Sequence, residues 1–153
     1  MSEFTVPIHL PDWIQDHVRR YLDSAGEDGH MWDSSIRGGP GLVPTLLLVT
    51  KGRRSGNLMT LPLIYGETEG GYVIVASRGG APTHPAWHLN LLAQPEVRVQ
   101  VAAERFSAKA RTTSGQERTR LWEQMVGIFP PYTEYQERTS REIPVVVLEP
   151  LGD

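Results

Sequence analysis

The sequence predicts a mainly β (α+β) fold, a small antiparallel barrel of about six strands that flanking helices open. Six short runs rich in apolar and β-branched residues recur between residues 42 and 150. The 15 glycines and 12 prolines fall mostly between these runs, and they exceed the usual roughly 7% and 5%. Three stretches show helical periodicity. Many short strands joined by tight turns, with few helices, are typical of a small barrel.

Length and composition predict a single domain over residues 1–153, since 39% of the chain is hydrophobic. The sequence contains no cysteine, which excludes disulfides and thiol chemistry and fits a reducing compartment. A net charge of −3 does not suggest a nucleic-acid partner. The longest apolar run, residues 46–49, is too short to span a bilayer. We therefore expect a cytoplasmic protein without an integral membrane segment.

The predicted strands are residues 42–50, 58–66, 71–77, 96–101, 105–112 and 143–150. The first is apolar enough to be buried on both faces. Residues 67–70 are predicted to turn the second strand into the third as a hairpin. Pro62 indicates that the second strand lies at an edge or contains a bulge. The fifth strand is expected to pair back onto the fourth, and the last to close the sheet.

An amphipathic helix is predicted over residues 11–25, with Pro11 at its start and Gly26 just past its end. Its polar face mixes both charges, which favours packing on its own domain or on a neighbour over a membrane surface. Residues 26–41 form a glycine-rich connector that either is mobile or lines a cleft.

Two further helices interrupt the strands. One begins at Pro85 and must end before Pro95. The other begins after Ser114, which forms a capping-box pattern with Glu117.

The first candidate binding segment is residues 50–57, called the basic turn below. Lys51, Arg53 and Arg54 bracket a turn that contains Ser55 and Gly56. Backbone N–H groups at such a turn can converge on an anion, and arginine offers forked donors to phosphate or carboxylate. The alternative is a solvated hairpin tip. The segment has neither the spacing of a Walker loop nor the context of a dinucleotide-binding fold.

The second candidate is residues 76–90, whose loop part, residues 76–85, is called the Gly–Pro loop below. Glycines allow a ligand to approach the backbone closely, and prolines fix the loop before anything binds. Ser77, at the end of a predicted strand, could contact a ligand through its hydroxyl and its amide. The loop suits a flat, polar-edged ring, although an ordinary strand–helix connection is the alternative. His84 precedes a proline and is not expected to share a helical face with His88, so no metal site is predicted.

The third candidate contains Tyr132 and Tyr135, which follow a pair of prolines in a predicted loop. Two phenols in this position either wall a pocket and offer protons or cover one end of the barrel.

Three segments together resemble the deazaflavin-dependent nitroreductase family of actinobacterial oxidoreductases: residues 50–63, 72–101 and 132–150. The most specific part is an ordered set, Ala-Ser-x-Gly-Gly from Ala76, then Pro-x-Trp ending at Trp87, then Asn90, then Pro-x-Val-x-Val. The resemblance covers roughly residues 42–150. It implies a split β-barrel that binds coenzyme F420 and passes hydride to a small nitroaromatic, quinone or activated enone.

The resemblance also implies roles for individual residues. The coenzyme's phosphate and acidic tail would contact Lys51, Arg53, Arg54, Ser55 and Gly56. The deazaflavin ring would be lined by Pro62, Ala76, Ser77, Gly79, Gly80 and Ala81, with Trp87 and Asn90 supporting it from the helix. Tyr65, Tyr132 and Tyr135 would face the substrate, and Ser77, Tyr132 and Tyr135 would be catalytic.

One departure from the family pattern is Met59, where the family often has an arginine. This departure keeps flavin mononucleotide open as an alternative coenzyme. A protein that binds F420 without turnover is a third hypothesis, and a homodimer is also left open.

Overall fold

The computed structural model describes residues 3–152, which fold into an antiparallel sheet with helices packed around it. The strands are β1 (Met31–Asp33), β2 (Leu42–Lys51), β3 (Leu58–Ile64), β4 (Gly66–Thr68), β5 (Gly71–Val75), β6 (Glu96–Val101), β7 (Glu104–Thr112) and β8 (Val145–Pro150). The helices are α1 (Asp12–Asp23), α2 (Ala86–Ala93), α3 (Gly115–Ile128) and α4 (Tyr132–Glu137). The predicted mainly β, antiparallel barrel with flanking helices is confirmed.

The sheet is open between β3 and β5. Its strands follow the order β1-β2-β6-β7-β8-β5-β4, and β3 pairs with β2 alone. Pro62 of β3 lies opposite Leu47 of β2, while Val73 of β5 lies opposite Val147 of β8. Within residues 3–152 no ladder joins β3 to β5. We call this gap the split.

Apolar side chains on the inner face of the sheet form the main core. Leu46, Leu48, Ile74 and Val99 are fully buried there. Trp87 and Leu91 of α2 join the same cluster and close one end of the barrel.

Helices cover two parts of the outer face. Helices α3 and α4 contact β5 and β8 in an apolar cluster that includes Leu121, Met125 and Tyr132. Helix α1 packs on β2 through Val18 and Tyr21. The sequence left open whether α1 packs on its own domain or on a neighbour, and in the structure it packs on its own chain.

The strand pairing around residues 58–77 differs from the prediction. A hairpin forms across the predicted turn, but β4 is the strand that pairs with β5, while residues 58–64 pair with β2. Tyr65 separates the two segments, because its N–H donates to the carbonyl of Pro44 and its side chain turns into the core. The prediction that Pro62 lies in an edge strand is confirmed.

One local prediction about the helices is confirmed and another was wrong. Helix α3 follows Ser114 as predicted, although no side-chain bond caps it. Glu117 instead accepts two hydrogen bonds from Arg111, at 2.7 and 2.8 Å, and such a charge-assisted bidentate pair is stronger than a bond to a backbone N–H. The tyrosine pair lies in helix α4 rather than in a loop, since Pro131 presets a helical φ of −57° at its start.

Candidate active site

A cavity of about 500 Å³ opens at the split. It is bounded by β3, the Gly–Pro loop and α4, and at its far end by α1 and the connector before β2. Of the predicted site residues, those that line it are Pro62, Ser77, Gly79, Trp87, Tyr132 and Tyr135. We call it the split cavity.

The Gly–Pro loop holds a left-handed backbone over three consecutive residues. The φ angles are +46° at Arg78, +62° at Gly79 and +81° at Gly80. A Cβ on Gly80 would lie 2.5 Å from the carbonyl oxygen of Tyr135. Only glycine permits this contact together with a positive φ, so the loop rests directly on α4.

The same loop presents hydrogen-bond donors that have no protein acceptor. Among the described residues, no hydrogen bond engages the backbone N–H groups of Ser77, Arg78 or Gly79. All three residues line the split cavity. Successive free N–H groups of this kind bind anionic or carbonyl oxygens of a ligand.

Tyr132 adds a buried donor to the opposite wall. Its side chain is 4% exposed, and within residues 3–152 its hydroxyl has no hydrogen-bond partner. Burial raises the pKa of the Tyr132 phenol well above its usual value, so the hydroxyl remains protonated at neutral pH. The ring of Tyr135 stands edge-on to that of Tyr132, with centroids 6.2 Å apart. Since Tyr132 lines the split cavity, its hydroxyl can donate to a ligand bound there.

Asn90 connects the basic turn to the helix that carries Trp87. Its Oδ1 accepts hydrogen bonds from the backbone N–H of Arg53 at 3.1 Å and from Nη1 of Arg53 at 3.2 Å. Its Nδ2 donates to Oγ1 of Thr50 at 3.3 Å. Because Asn90 and Thr50 are both buried, the basic turn is held against α2, the helix that also carries Trp87. Arg54 is exposed and is free to contact a ligand in solvent.

Other predicted site residues lie outside the lining of the split cavity. Lys51 borders a second cavity of about 350 Å³. Its neighbour Thr50 faces Asn90. Because successive strand residues point to opposite faces, Lys51 points away from Asn90. Tyr65 is buried in the core, where its hydroxyl lies 2.7 Å from Nε2 of His30. The remaining members are the exposed Ser55 and Gly56 of the basic turn, and Ala76, Gly80 and Ala81 of the Gly–Pro loop.

The far end of the split cavity is aromatic, and sequence reasoning missed it. Trp13 of α1 stacks on Trp32 of the connector with centroids 6.2 Å apart, and His17 stacks on the same indole at 6.5 Å. The guanidinium of Arg37 lies 5.4 Å from the ring centroid of Trp13. A tryptophan within a glycine-rich connector was the available signal, because such a residue needs a packing partner.

An antiparallel half-barrel that opens at a split is also the fold of a solved F420-H2-dependent reductase. The family model described as F420H(2)-dependent quinone reductase matches residues 13–150, and the chain belongs to that family. It is therefore an F420-dependent oxidoreductase whose acceptors are of the quinone type. The predicted resemblance and coenzyme are confirmed, and flavin mononucleotide is not supported.

Individual relatives agree with the family match. An F420H(2)-dependent quinone reductase of Mycobacterium tuberculosis is 42% identical over 149 residues, covering 89% of this chain and 95% of its own. A solved structure described as an F420-H2-dependent reductase, FDR-A, is 42% identical with a TM-score of 0.64, covering 69% of this chain and 94% of that one. A structure described as a domain-swapped dimer is 38% identical with a TM-score of 0.67, covering 90% and 98%.

No helix within residues 3–152 is both long enough and apolar enough to cross a membrane.

Proposed function

We propose that the split cavity holds the deazaflavin ring of F420 and that the basic turn binds its acidic tail. The observation that carries the proposal is the set of unpaired donors in one cavity. The hydroxyl of Tyr132 and the amides of Ser77, Arg78 and Gly79 all border it, and none has a partner among the described residues.

The shape of the split cavity suits a planar ring. Ligand pockets usually measure about 300–1,000 Å³ and combine apolar walls with a few convergent polar groups, and a volume of about 500 Å³ falls in this range. Pro62 and Trp87 supply flat apolar walls. The Gly–Pro loop supplies N–H groups for the oxygen and nitrogen atoms at the ring's edge. We therefore place the ring between β3 and this loop.

The charge of the basic turn suits the tail. Arg53 and Arg54 offer planar guanidinium groups that can bind phosphate or carboxylate in a bidentate manner. Ser55, the next residue after Arg54, adds a hydroxyl group, and Gly56 has no side chain that would block access to the turn. Lys51 faces the second cavity, so we expect it to act by long-range attraction rather than by direct contact.

The reaction needs a proton donor as well as a hydride. Bound F420H2 supplies the hydride, that is, two electrons and one hydrogen. Tyr132 donates a hydrogen bond to the quinone oxygen on which negative charge develops, and Ser77 or Tyr135 can bind the second oxygen or the ring edge. A further proton, taken from solvent, completes the quinol. Because burial raises the pKa of the Tyr132 phenol, its hydroxyl stays protonated and acts as a hydrogen-bond donor to that oxygen rather than as the source of the proton.

The aromatic far end is the proposed entry for the acceptor. The stacked indoles of Trp13 and Trp32 offer a flat apolar face to an aromatic ring. Arg37 adds a positive charge beside it, which favours acceptors that carry electron-rich oxygen atoms.

The test is anaerobic oxidation of F420H2 by menadione, followed at the coenzyme's absorbance band, with F420 affinity measured separately. Tyr132→Phe should lower kcat roughly 100- to 1,000-fold, as loss of one transition-state donor does, and leave F420 affinity unchanged. Tyr72→Phe is the matched control, because that phenol stacks in the barrel interior on Phe106. Equal rates in both variants would contradict the role of Tyr132. If acceptors did not accelerate oxidation at all, the chain would be an F420-binding protein without turnover.

Assembly and location are further parts of the proposal. One relative is described as a domain-swapped dimer, and we propose a homodimer here, which light scattering during gel filtration would test. The absence of cysteine is compatible with a reducing compartment, and we propose the cytoplasm. Cell fractionation with an antibody against the chain would test that location.

A further inference from the structure

Arg141, in the connector between α4 and β8, contacts both ends of the Gly–Pro loop. Its Nη2 donates to the carbonyl of Ser77 at 2.7 Å, and its Nε donates to the carbonyl of Ala81 at 2.8 Å. Its Nη1 lies 3.3 Å from the carbonyl oxygen of Ala76 and 2.8 Å from Nδ1 of His84. One planar guanidinium thus contacts four groups of a single loop.

We infer that Arg141 is the positioning residue of the coenzyme ring site, which rests on the function proposed above. In a trans peptide unit the C=O of one residue and the N–H of the next point in opposite directions. No cis peptide is present among the described residues. When the carbonyls of Ala76 and Ser77 point at Arg141, the N–H groups of Ser77 and Arg78 must point away from it. These are two of the three unpaired donors at the split cavity.

The Gly–Pro loop needs this external support. Between Ser77 and Ala81 its own backbone bonds are Gly80 N–H to Ser77 and Ala81 N–H to Arg78. The left-handed φ of +46° at Arg78 is unfavourable for a residue with a side chain. Such a conformation persists only when its surroundings impose it. Arg138 adds one longer bond, 3.3 Å to the carbonyl of Gly79, but its side chain is exposed.

Contact with His84 extends the support to helix α2. Arginine can only donate, so Nδ1 of His84 must accept and its proton must be on Nε2. Burial, and then the charge of Arg141, lower the pKa of His84, which agrees with a neutral ring. The His84 ring stands edge-on to that of His88 on α2, with centroids 5.1 Å apart. Arg141 therefore links the start of the loop, its end and the helix that follows.

The experiment compares Arg141→Gln and Arg141→Lys with Arg118→Gln. Arg118 is a matched control, because it also donates to a nearby backbone carbonyl, that of Ile143, at 2.7 Å. It makes no contact with the Gly–Pro loop. Three quantities are measured on the full chain: the melting temperature, the dissociation constant of F420, and hydrogen exchange at the amides of Gly80 and Ala81 without coenzyme.

We expect R141Q to weaken F420 binding at least 10-fold and to speed exchange at both amides. R141K should not restore either property, because an ammonium group cannot span the two ends of the loop as a planar fork does. R118Q should lower the melting temperature while affinity and exchange at Gly80 and Ala81 stay at wild-type values.

Two results would overturn the inference. One is an F420 affinity of R141Q within twofold of R118Q, measured below the melting temperature of both. The other is unchanged exchange at Gly80 and Ala81 in R141Q and R141K. If the wild-type chain bound no F420, the proposed function itself would fail, whereas wild-type binding with an unaltered R141Q affinity would refute only the role of Arg141.

Discussion

Replacing Gly70, Gly79 and Gly80 by alanine, one at a time, separates backbone strain from packing and from coenzyme binding. All three glycines have a left-handed φ, at +83°, +62° and +81°. A Cβ on Gly70 or Gly79 would meet no atom within 4 Å, whereas a Cβ on Gly80 would lie 2.5 Å from the carbonyl oxygen of Tyr135. Gly70 lies in the β4–β5 turn, and Gly79 lines the split cavity.

The expected losses of stability differ accordingly. A left-handed conformation costs a residue with a side chain about 1–2 kcal/mol, which is the whole effect expected for G70A and G79A. Forcing a methyl group into a packed contact adds about 1–3 kcal/mol, so G80A should lose about 2–5 kcal/mol. For a chain of this size, 1 kcal/mol corresponds to roughly 2–4 °C in melting temperature. We therefore expect decreases of roughly 2–8 °C for G70A and G79A and roughly 4–20 °C for G80A.

Coenzyme binding should follow a different order. Thermal unfolding by circular dichroism gives the stabilities, and titration with F420 gives the affinities. G70A should bind F420 like the wild type, because its methyl group lies away from the cavity. G79A should bind more weakly at the same stability as G70A, because its methyl group would occupy space beside the ring. Equal affinities of G79A and G70A would refute the placement of the ring, and equal stabilities of G80A and G70A would refute the close contact with α4.

Three further predictions concern the basic turn and the buried phenols. Asn90→Ala should cost about 1–3 kcal/mol of stability by leaving buried groups unpaired, and it should weaken F420 binding through Arg53; unchanged affinity in a titration would contradict this. Met59→Arg, which adds a cation opposite Thr50, should tighten F420 binding at low salt, and the gain should shrink as salt is added. Burial raises the pKa values of Tyr21 and Tyr65 to about 12. The unfolded chain then loses these protons first, so the contribution of these two phenols to the free energy of unfolding should be constant below about pH 10 and fall as the pH rises to about 12, as urea titrations can show.

Local sequence signals predicted much of the fold because their causes are local. Pro85 and Pro95 limit the predicted helix to the residues between them, and α2 runs over Ala86–Ala93. The alternation of residues 96–101 predicts a strand, and β6 runs over Glu96–Val101. Pro62 indicated an edge strand because proline removes a ladder donor.

Features that depend on distant partners were not accessible in the same way. The partner of β3 is β2, and nothing in residues 58–64 distinguishes that choice from β5. The stacking of Trp13 on Trp32 depends on how α1 packs. Arg141 binds backbone carbonyl groups, which every residue has, so its partners leave no trace in side-chain patterns.

The split itself explains why binding groups accumulate at one place. Strand β3 pairs with β2 on one side and borders the split on the other. Pro62 of β3 has no N–H to offer to a further strand across the split. A continuous ladder from β3 to β5 would therefore lack a donor at this point. The chain leaves β5 at Val75 instead and enters the left-handed loop. The carbonyl groups of Ser77 and Ala81 accept hydrogen bonds from Arg141, while the N–H groups of Ser77, Arg78 and Gly79 have no acceptor among the described residues. An interrupted sheet thus exposes backbone donors beside apolar walls, which is the combination that a flat heterocycle with polar edges requires.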